Sequence, residues 1–172
     1  MLNRKVPHAR FIEEQISDGR AAIEAGNLLS ALALALTFPD VFGQTTYPEM
    51  VFDNDRRKAG TQYAKWFDEC VGVEYMAPEE PGSRELKSYF TGRMCWKLRC
   101  AYLHACDAIG DMTESTRPDL VKRHVRIDIG RLCTCLCDAA ELCLHDNAEQ
   151  FVDSASDLLD LPPFVELYGL DS

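Results

Sequence analysis

Residues 28–38 read LLSALALALTF, and this stretch is the longest apolar run in the chain. Only Ser30 and Thr37 interrupt it, so a helix formed from it is apolar nearly all round. Its 11 residues are too few for a membrane span, which needs about 20 residues. We therefore expect a buried central helix around which the other helices of a soluble bundle pack.

The rest of the chain shows apolar residues at helical spacing in several segments. The predicted helices cover residues 10–25, 28–37, 59–71, 84–109, 128–147 and 149–161. Gly26 ends the first helix, and Pro39 bends or ends the second before Gly43 completes the turn. A weak alternation over residues 120–127 predicts a short strand or β-hairpin arm. The fold class is therefore all-α, a helical bundle with a small β-hairpin insertion.

The length and composition are those of one globular domain, with 172 residues, 47% hydrophobic and 27% charged. We expect a single domain over residues 1–172, with its core at about 10–160 and a loose acidic C-terminal tail. Pro7, His8 and Arg10 stand where a secretory signal would need an apolar region. The prediction is a cytoplasmic protein without a membrane anchor.

The eight cysteines raise the question of disulfide bonds or a zinc site. No C-x-x-C pair exists, and alternate cysteines such as Cys133, Cys135 and Cys137 point about 200° apart on a helix. That spacing does not suit a structural zinc site. We expect reduced, mostly buried thiols and neither a metal nor another cofactor.

Charge is distributed unevenly along this acidic chain, whose net charge is −10. Residues 84–104 carry a local charge of +4 and residues 117–131 a local charge of +3. The overall charge argues against indiscriminate nucleic-acid binding, whereas the two basic segments suit a narrow site for a polyanion. Alternatively, these basic residues neutralise acidic faces of neighbouring helices.

The candidate site lies in the stretch RMCWKLRCAYLHACD at residues 93–107, which overlaps the first basic segment. Arg99 and His104 are strongly polar groups in a run that is otherwise largely apolar. Because an arginine is costly to desolvate, these groups either face a polar cleft or satisfy a buried network. On a regular α-helix they lie about 140° apart around the axis, so both can border one pocket.

Arg99 and His104, separated by four residues, resemble the R-x4-6-H motif of the HEPN superfamily of small helical bundles. The likeness extends to ALALTFPDVFG at residues 33–43, YAKWFDE at 63–69 and LRCAYLH at 98–104. Together these blocks look like a group of bacterial HEPN-like proteins. The resemblance covers roughly residues 10–150 and implies an HEPN-like bundle.

Many HEPN proteins are metal-independent RNases that act as dimers, so the resemblance implies a homodimeric endoribonuclease. RNA supplies its own nucleophile, the 2′-OH, so the enzyme needs only proton transfer and charge stabilisation. Arg99 would hold the phosphate, and His104 with its symmetry mate would transfer the protons. Asp107 is expected to orient the imidazole, and Tyr102 and Lys97 are weaker candidates for RNA contacts. Toxin or phage-defence biology, with an antitoxin as partner, follows from resemblance alone.

Two other functions are compatible with the same residues. In the first, Arg99 and His104 bridge helices in a non-catalytic binding or interaction module. In the second, Cys100, His104 and Asp107 share one helix face at i, i+4 and i+7 and form a thiol-imidazole dyad or a metal site.

Overall fold

The computed structural model of the chain describes residues 9–79, 84–105 and 126–151, with backbone only at 104, 105 and 150. Six α-helices and one two-stranded hairpin lie within these ranges. In chain order they are α1 (Ala9–Glu24), α2 (Leu28–Ala35), α3 (Phe38–Thr46), α4 (Ala59–Cys70), β1 (Met76–Pro78), β2 (Leu86–Ser88), α5 (Gly92–Cys100) and α6 (Ile129–Asp146). The mostly helical architecture with a small hairpin is confirmed.

The helices pack as two connected groups around one core. Helix α1 lies on α2 and α6, whereas α4 lies between α3 and α5. Helix α6 also contacts α2 and α3, so it joins the two groups. The largest fully buried side chains of the core are Trp66, Tyr63, Phe38, Phe42, Phe67, Phe90, Ile12, Leu32, Leu36, Leu132, Leu136 and Gln62.

The predicted central helix is shorter than expected, and a separate helix follows it at once. Helix α2 ends at Ala35, and α3 begins at Phe38 with Pro39 in its first turn, where the missing N–H costs nothing. The prediction that Gly43 completes a turn is wrong, because Gly43 lies inside α3. A Cβ there would meet the Gln62 carbonyl oxygen at 2.7 Å, so glycine lets α3 approach the backbone of α4.

Among the described residues, one segment, Leu28–Thr46, is long and apolar enough to cross a membrane by length and composition alone, with a mean hydropathy of 1.3. The segment consists of α2 and α3, which are separated by Leu36 and Thr37. Leu32, Leu36, Phe38 and Phe42 are buried against the other helices. These side chains belong to the hydrophobic core of the described structure.

The hairpin lies before α5, at a different place from the predicted one. Its strands are antiparallel and pair Met76 with Ser88 and Pro78 with Leu86. The expected helix over residues 84–109 is therefore wrong at its start, since β2 takes up part of it and α5 begins only at Gly92. Most of the predicted strand over 120–127 lies outside the described residues, as do most of the predicted last helix and the tail.

Side-chain caps explain where α5 and α6 begin. The Thr91 hydroxyl accepts a hydrogen bond from the Met94 amide, 3.3 Å, and the Asp68 carboxylate of α4 accepts one from the Gly92 amide, 2.6 Å. The Asp128 carboxylate accepts one from the Arg131 amide, 2.9 Å. The predicted helices over 10–25, 59–71 and 128–147 are confirmed to within about two residues at either end.

Candidate functional site

Arg99 lies in the last turn of α5 and is held there by two contacts. Its Nη2 donates to Asp40 Oδ2 on α3 at 3.3 Å. The guanidinium carbon also lies 5.0 Å from the centre of the Trp96 ring, a cation–π distance. With 18% of its side chain exposed, Arg99 is fixed in orientation and still reaches solvent.

Asp40 accepts from a second arginine as well, so two guanidinium groups share one carboxylate. Arg57 Nη2 donates to Asp40 Oδ1 at 2.7 Å and to the Asp40 carbonyl at 2.8 Å. The other nitrogens of Arg57 donate to the side-chain oxygens of Gln44 and Gln62. This network, named here the Asp40 network, joins α3, α4, α5 and the loop before α4.

Trp96, which supports the guanidinium of Arg99, is itself tightly confined. Its ring packs edge-on against the buried Tyr63 ring at 5.1 Å between centres. Gly60 leaves room for it, because a Cβ at that position would lie 2.9 Å from the indole nitrogen. Burial raises the pKa of Tyr63, which stays a neutral donor to the Leu36 carbonyl at 3.2 Å. Arg99 therefore rests on a rigid aromatic support.

The helix changes its winding between the two motif residues. Residues Ala101–Ala105 form a π-helical turn that directly follows α5. A turn closed by i→i+5 hydrogen bonds contains more residues than an α-turn, so each residue advances less around the axis. The backbone of residue 104 therefore lies closer to the side that carries Arg99 than the 140° of a regular helix predicts. Such π-turns occur frequently at functional sites.

The structure places the other predicted site residues as follows. Lys97 is exposed on α5, and Cys100 is half-buried. The Tyr102 hydroxyl donates to the Leu29 carbonyl at 2.8 Å, so it ties the π-turn to the start of α2. This bond gives the Tyr102 hydroxyl a partner within the fold, and the RNA contact of Tyr102 stays a prediction. Only the backbone of His104 is described, and Asp107 lies outside the described residues.

Of the five basic residues in the first positive segment, two pair with acids and two lie exposed on α5. Lys87 pairs with Glu79 and Arg99 with Asp40, as expected if these cations neutralise neighbouring acids. Arg93 and Lys97 are exposed on α5 and form no ion pair with any residue that the structure describes. Within the described residues, ion pairs therefore compensate only part of the positive charge on α5.

An open groove of the described structure lies apart from the predicted site residues. An open groove of about 660 Å³ lies between α1 and α6, and its lining includes Arg20, Glu141 and His145 but no predicted site residue. Arg20 is neutralised there by Asp138 at 2.8 Å and Glu141 at 2.6 Å.

Over residues 9–79, 84–105 and 126–151, no three His, Cys, Asp or Glu side chains are grouped to hold a metal ion.

Sequence reasoning missed the residues that hold Arg99. Neither Asp40 nor Arg57 was among the predicted site residues. A charged residue directly after an apolar run, as Asp40 is, was the available signal. Its partners lie 17 and 59 residues away, so spacing alone cannot identify them.

Comparison of the chain with models of protein families, with curated proteins and with solved structures finds no match.

Proposed function

We propose that this chain is a cytoplasmic, homodimeric, metal-independent endoribonuclease of the HEPN type. The observation that carries the proposal is the π-turn between Arg99 and His104. It brings the backbone positions of the two motif residues toward one side of the helix, beside a guanidinium that Trp96 and Asp40 already orient.

In this proposal Arg99 stabilises the charge that develops on the phosphate as the 2′-OH attacks. Arginine keeps its proton, so it cannot act as the base. His104 removes the proton of the 2′-OH, and His104 of the second subunit protonates the leaving 5′-oxygen. Arg93 and Lys97 attract the RNA backbone to the same helix. Toxin or phage-defence biology, with an antitoxin as a further partner, is part of the proposal.

The test is RNA cleavage by the purified protein in EDTA. We expect products with 2′,3′-cyclic phosphate ends, and a rate at least about 100-fold lower for His104→Ala, the usual effect of losing a general acid or base. Arg99→Ala should reduce the rate comparably. Arg56→Ala and His145→Ala are matched controls, since each removes an exposed residue of the same type outside the motif helix.

A second candidate is a non-catalytic helical binding or interaction module, and the Asp40 network favours it. There Arg99 joins α5 to α3 and serves the fold alone. Under this reading the folded protein leaves RNA intact, and Arg99→Ala lowers the urea midpoint of unfolding while Arg93→Ala does not. Cleavage that is equal in the parent and in both motif variants would contradict the nuclease proposal.

A further inference from the structure

Two cysteines from different helices lie side by side, away from Arg99. Cys70 is the last residue of α4, and Cys143 lies in the last turn of α6. Their sulfur atoms are 3.9 Å apart, and both side chains are half-buried. No other pair of cysteines in the described part of the chain forms such a contact. A disulfide has an S–S length of about 2.05 Å, so the sulfurs need to approach by roughly 1.9 Å.

The surroundings of the pair favour a thiolate at one sulfur and a thiol at the other. Either sulfur can donate in this contact, and the hydrogen bond with Cys70 as its donor is the largest cause that lowers the pKa of Cys143. The same bond, together with burial, raises the pKa of Cys70. The indole N–H of Trp66 also favours the Cys143 thiolate. That N–H is fully buried and makes no regular hydrogen bond to any described residue, so a thiolate would give it an acceptor.

The other buried cysteines differ from this pair. Cys95, Cys133 and Cys137 are enclosed by the core, and burial raises the pKa of each of these thiols. The thiolate is the reactive form of cysteine, so these three are expected to be inert. Of these thiols and the Cys70–Cys143 pair, only Cys143 has surroundings that lower its pKa.

We propose that Cys143 and Cys70 form a redox-reactive pair that hydrogen peroxide converts into a reversible disulfide. The Cys143 thiolate attacks one peroxide oxygen and the O–O bond breaks, which gives a sulfenic acid and hydroxide. The Cys70 thiol then attacks the Cys143 sulfur, the S–O bond breaks, and the hydroxyl leaves as water with the thiol proton. In sum, two thiols and one peroxide give one disulfide and two waters. A dithiol reductant reverses the reaction by exchange.

The disulfide would link helices that pack mainly on different partners. Helix α4 lies on α3 and α5, whereas α6 lies on α1, α2 and α3. The cross-link joins residues 73 positions apart, and the enclosed segment contains the hairpin, α5 and the π-turn. Oxidation would therefore restrain the relative movement of the two helix groups.

The experiment is intact-mass and non-reducing peptide mapping of the purified full chain after a brief exposure to a few equivalents of hydrogen peroxide. We expect a mass loss of two hydrogens, a peptide pair joined through Cys70 and Cys143, and full recovery with dithiothreitol. Cys143→Ser should remove this product. Cys70→Ser should leave a sulfenic acid at Cys143, which dimedone traps.

Cys135→Ser is the matched control, because Cys135 is also half-buried on α6 yet makes no contact with another described cysteine. It should retain the disulfide at the parental level. A first-formed disulfide that maps to another pair, or oxidation of Cys143 that is no faster than that of Cys135, would overturn the proposal.

Discussion

The close approach of α5 to α4 provides the sharpest test of the packing, through Gly92→Ala. A Cβ on Gly92 would lie 2.0 Å from the Ala64 carbonyl oxygen and 2.6 Å from the Ala64 Cα. Both are backbone atoms of α4, so no side chain can rotate away. Ordinary contact begins at about 3.4 Å, so α5 must move by roughly 1.4 Å.

Two costs follow from that movement. Overpacking a well-packed contact costs about 1–3 kcal/mol, and a rigid backbone places Gly92→Ala at the upper end. The movement also strains the bond from the Gly92 amide to the Asp68 carboxylate, 2.6 Å long in the parent. We expect the free energy of unfolding to fall by about 3 kcal/mol. For a chain of this size that corresponds to a melting temperature roughly 6–12 °C lower.

The assay is urea unfolding followed by far-ultraviolet circular dichroism and tryptophan fluorescence. Gly72→Ala is the matched control, because its Cβ would meet the Phe67 carbonyl oxygen at 3.6 Å, an ordinary contact. It should change the free energy of unfolding by no more than about 0.5 kcal/mol. If Gly92→Ala were as stable as Gly72→Ala, the reasoning about the contact between α4 and α5 would be refuted.

Two further predictions concern the π-turn and the reactive thiol. Tyr102→Phe removes the hydrogen bond to the Leu29 carbonyl and should lower the free energy of unfolding, measured by urea titration, by about 0.5–1.5 kcal/mol. A value unchanged from the parent would show that this bond does not hold the π-turn. The pKa of Cys143 is lowered chiefly by the hydrogen bond from Cys70. The rate at which iodoacetamide alkylates Cys143, followed against pH by peptide mass spectrometry, should therefore reach half its maximum at a pH below the ordinary thiol pKa of about 8.5. In Cys70→Ala that midpoint should move to higher pH, and an unmoved midpoint would exclude Cys70 as the cause.

Much of the helical architecture was readable from local patterns. The apolar spacing of residues 10–25 and 59–71, and the cap that Asp128 provides, predicted α1, α4 and α6 closely. These helices are determined largely by their own sequence because each carries an apolar stripe at helical spacing, and α6 also has the Asp128 cap.

Residues 84–91 show where local reasoning failed. Their sequence, RELKSYFT, is compatible with a helix, yet residues 86–88 pair with β1 and Phe90 is buried in the core. Phe90 packs edge-on against Phe67 and Tyr75, at 5.5 and 5.3 Å between ring centres. These contacts come from distant parts of the chain and override a weak helical preference.

The same contrast between local sequence patterns and distant contacts applies to the candidate site. The sequence alone predicted a helical bundle with a small hairpin, placed elsewhere in the chain, and selected Arg99 and His104 as the residues to examine. Only the tertiary structure decided that Arg99 shares Asp40 with Arg57 and that the helix widens into a π-turn before residue 104. The physical reason is range: helix periodicity acts over a few residues, whereas ion pairs and altered winding depend on what packing brings against the helix.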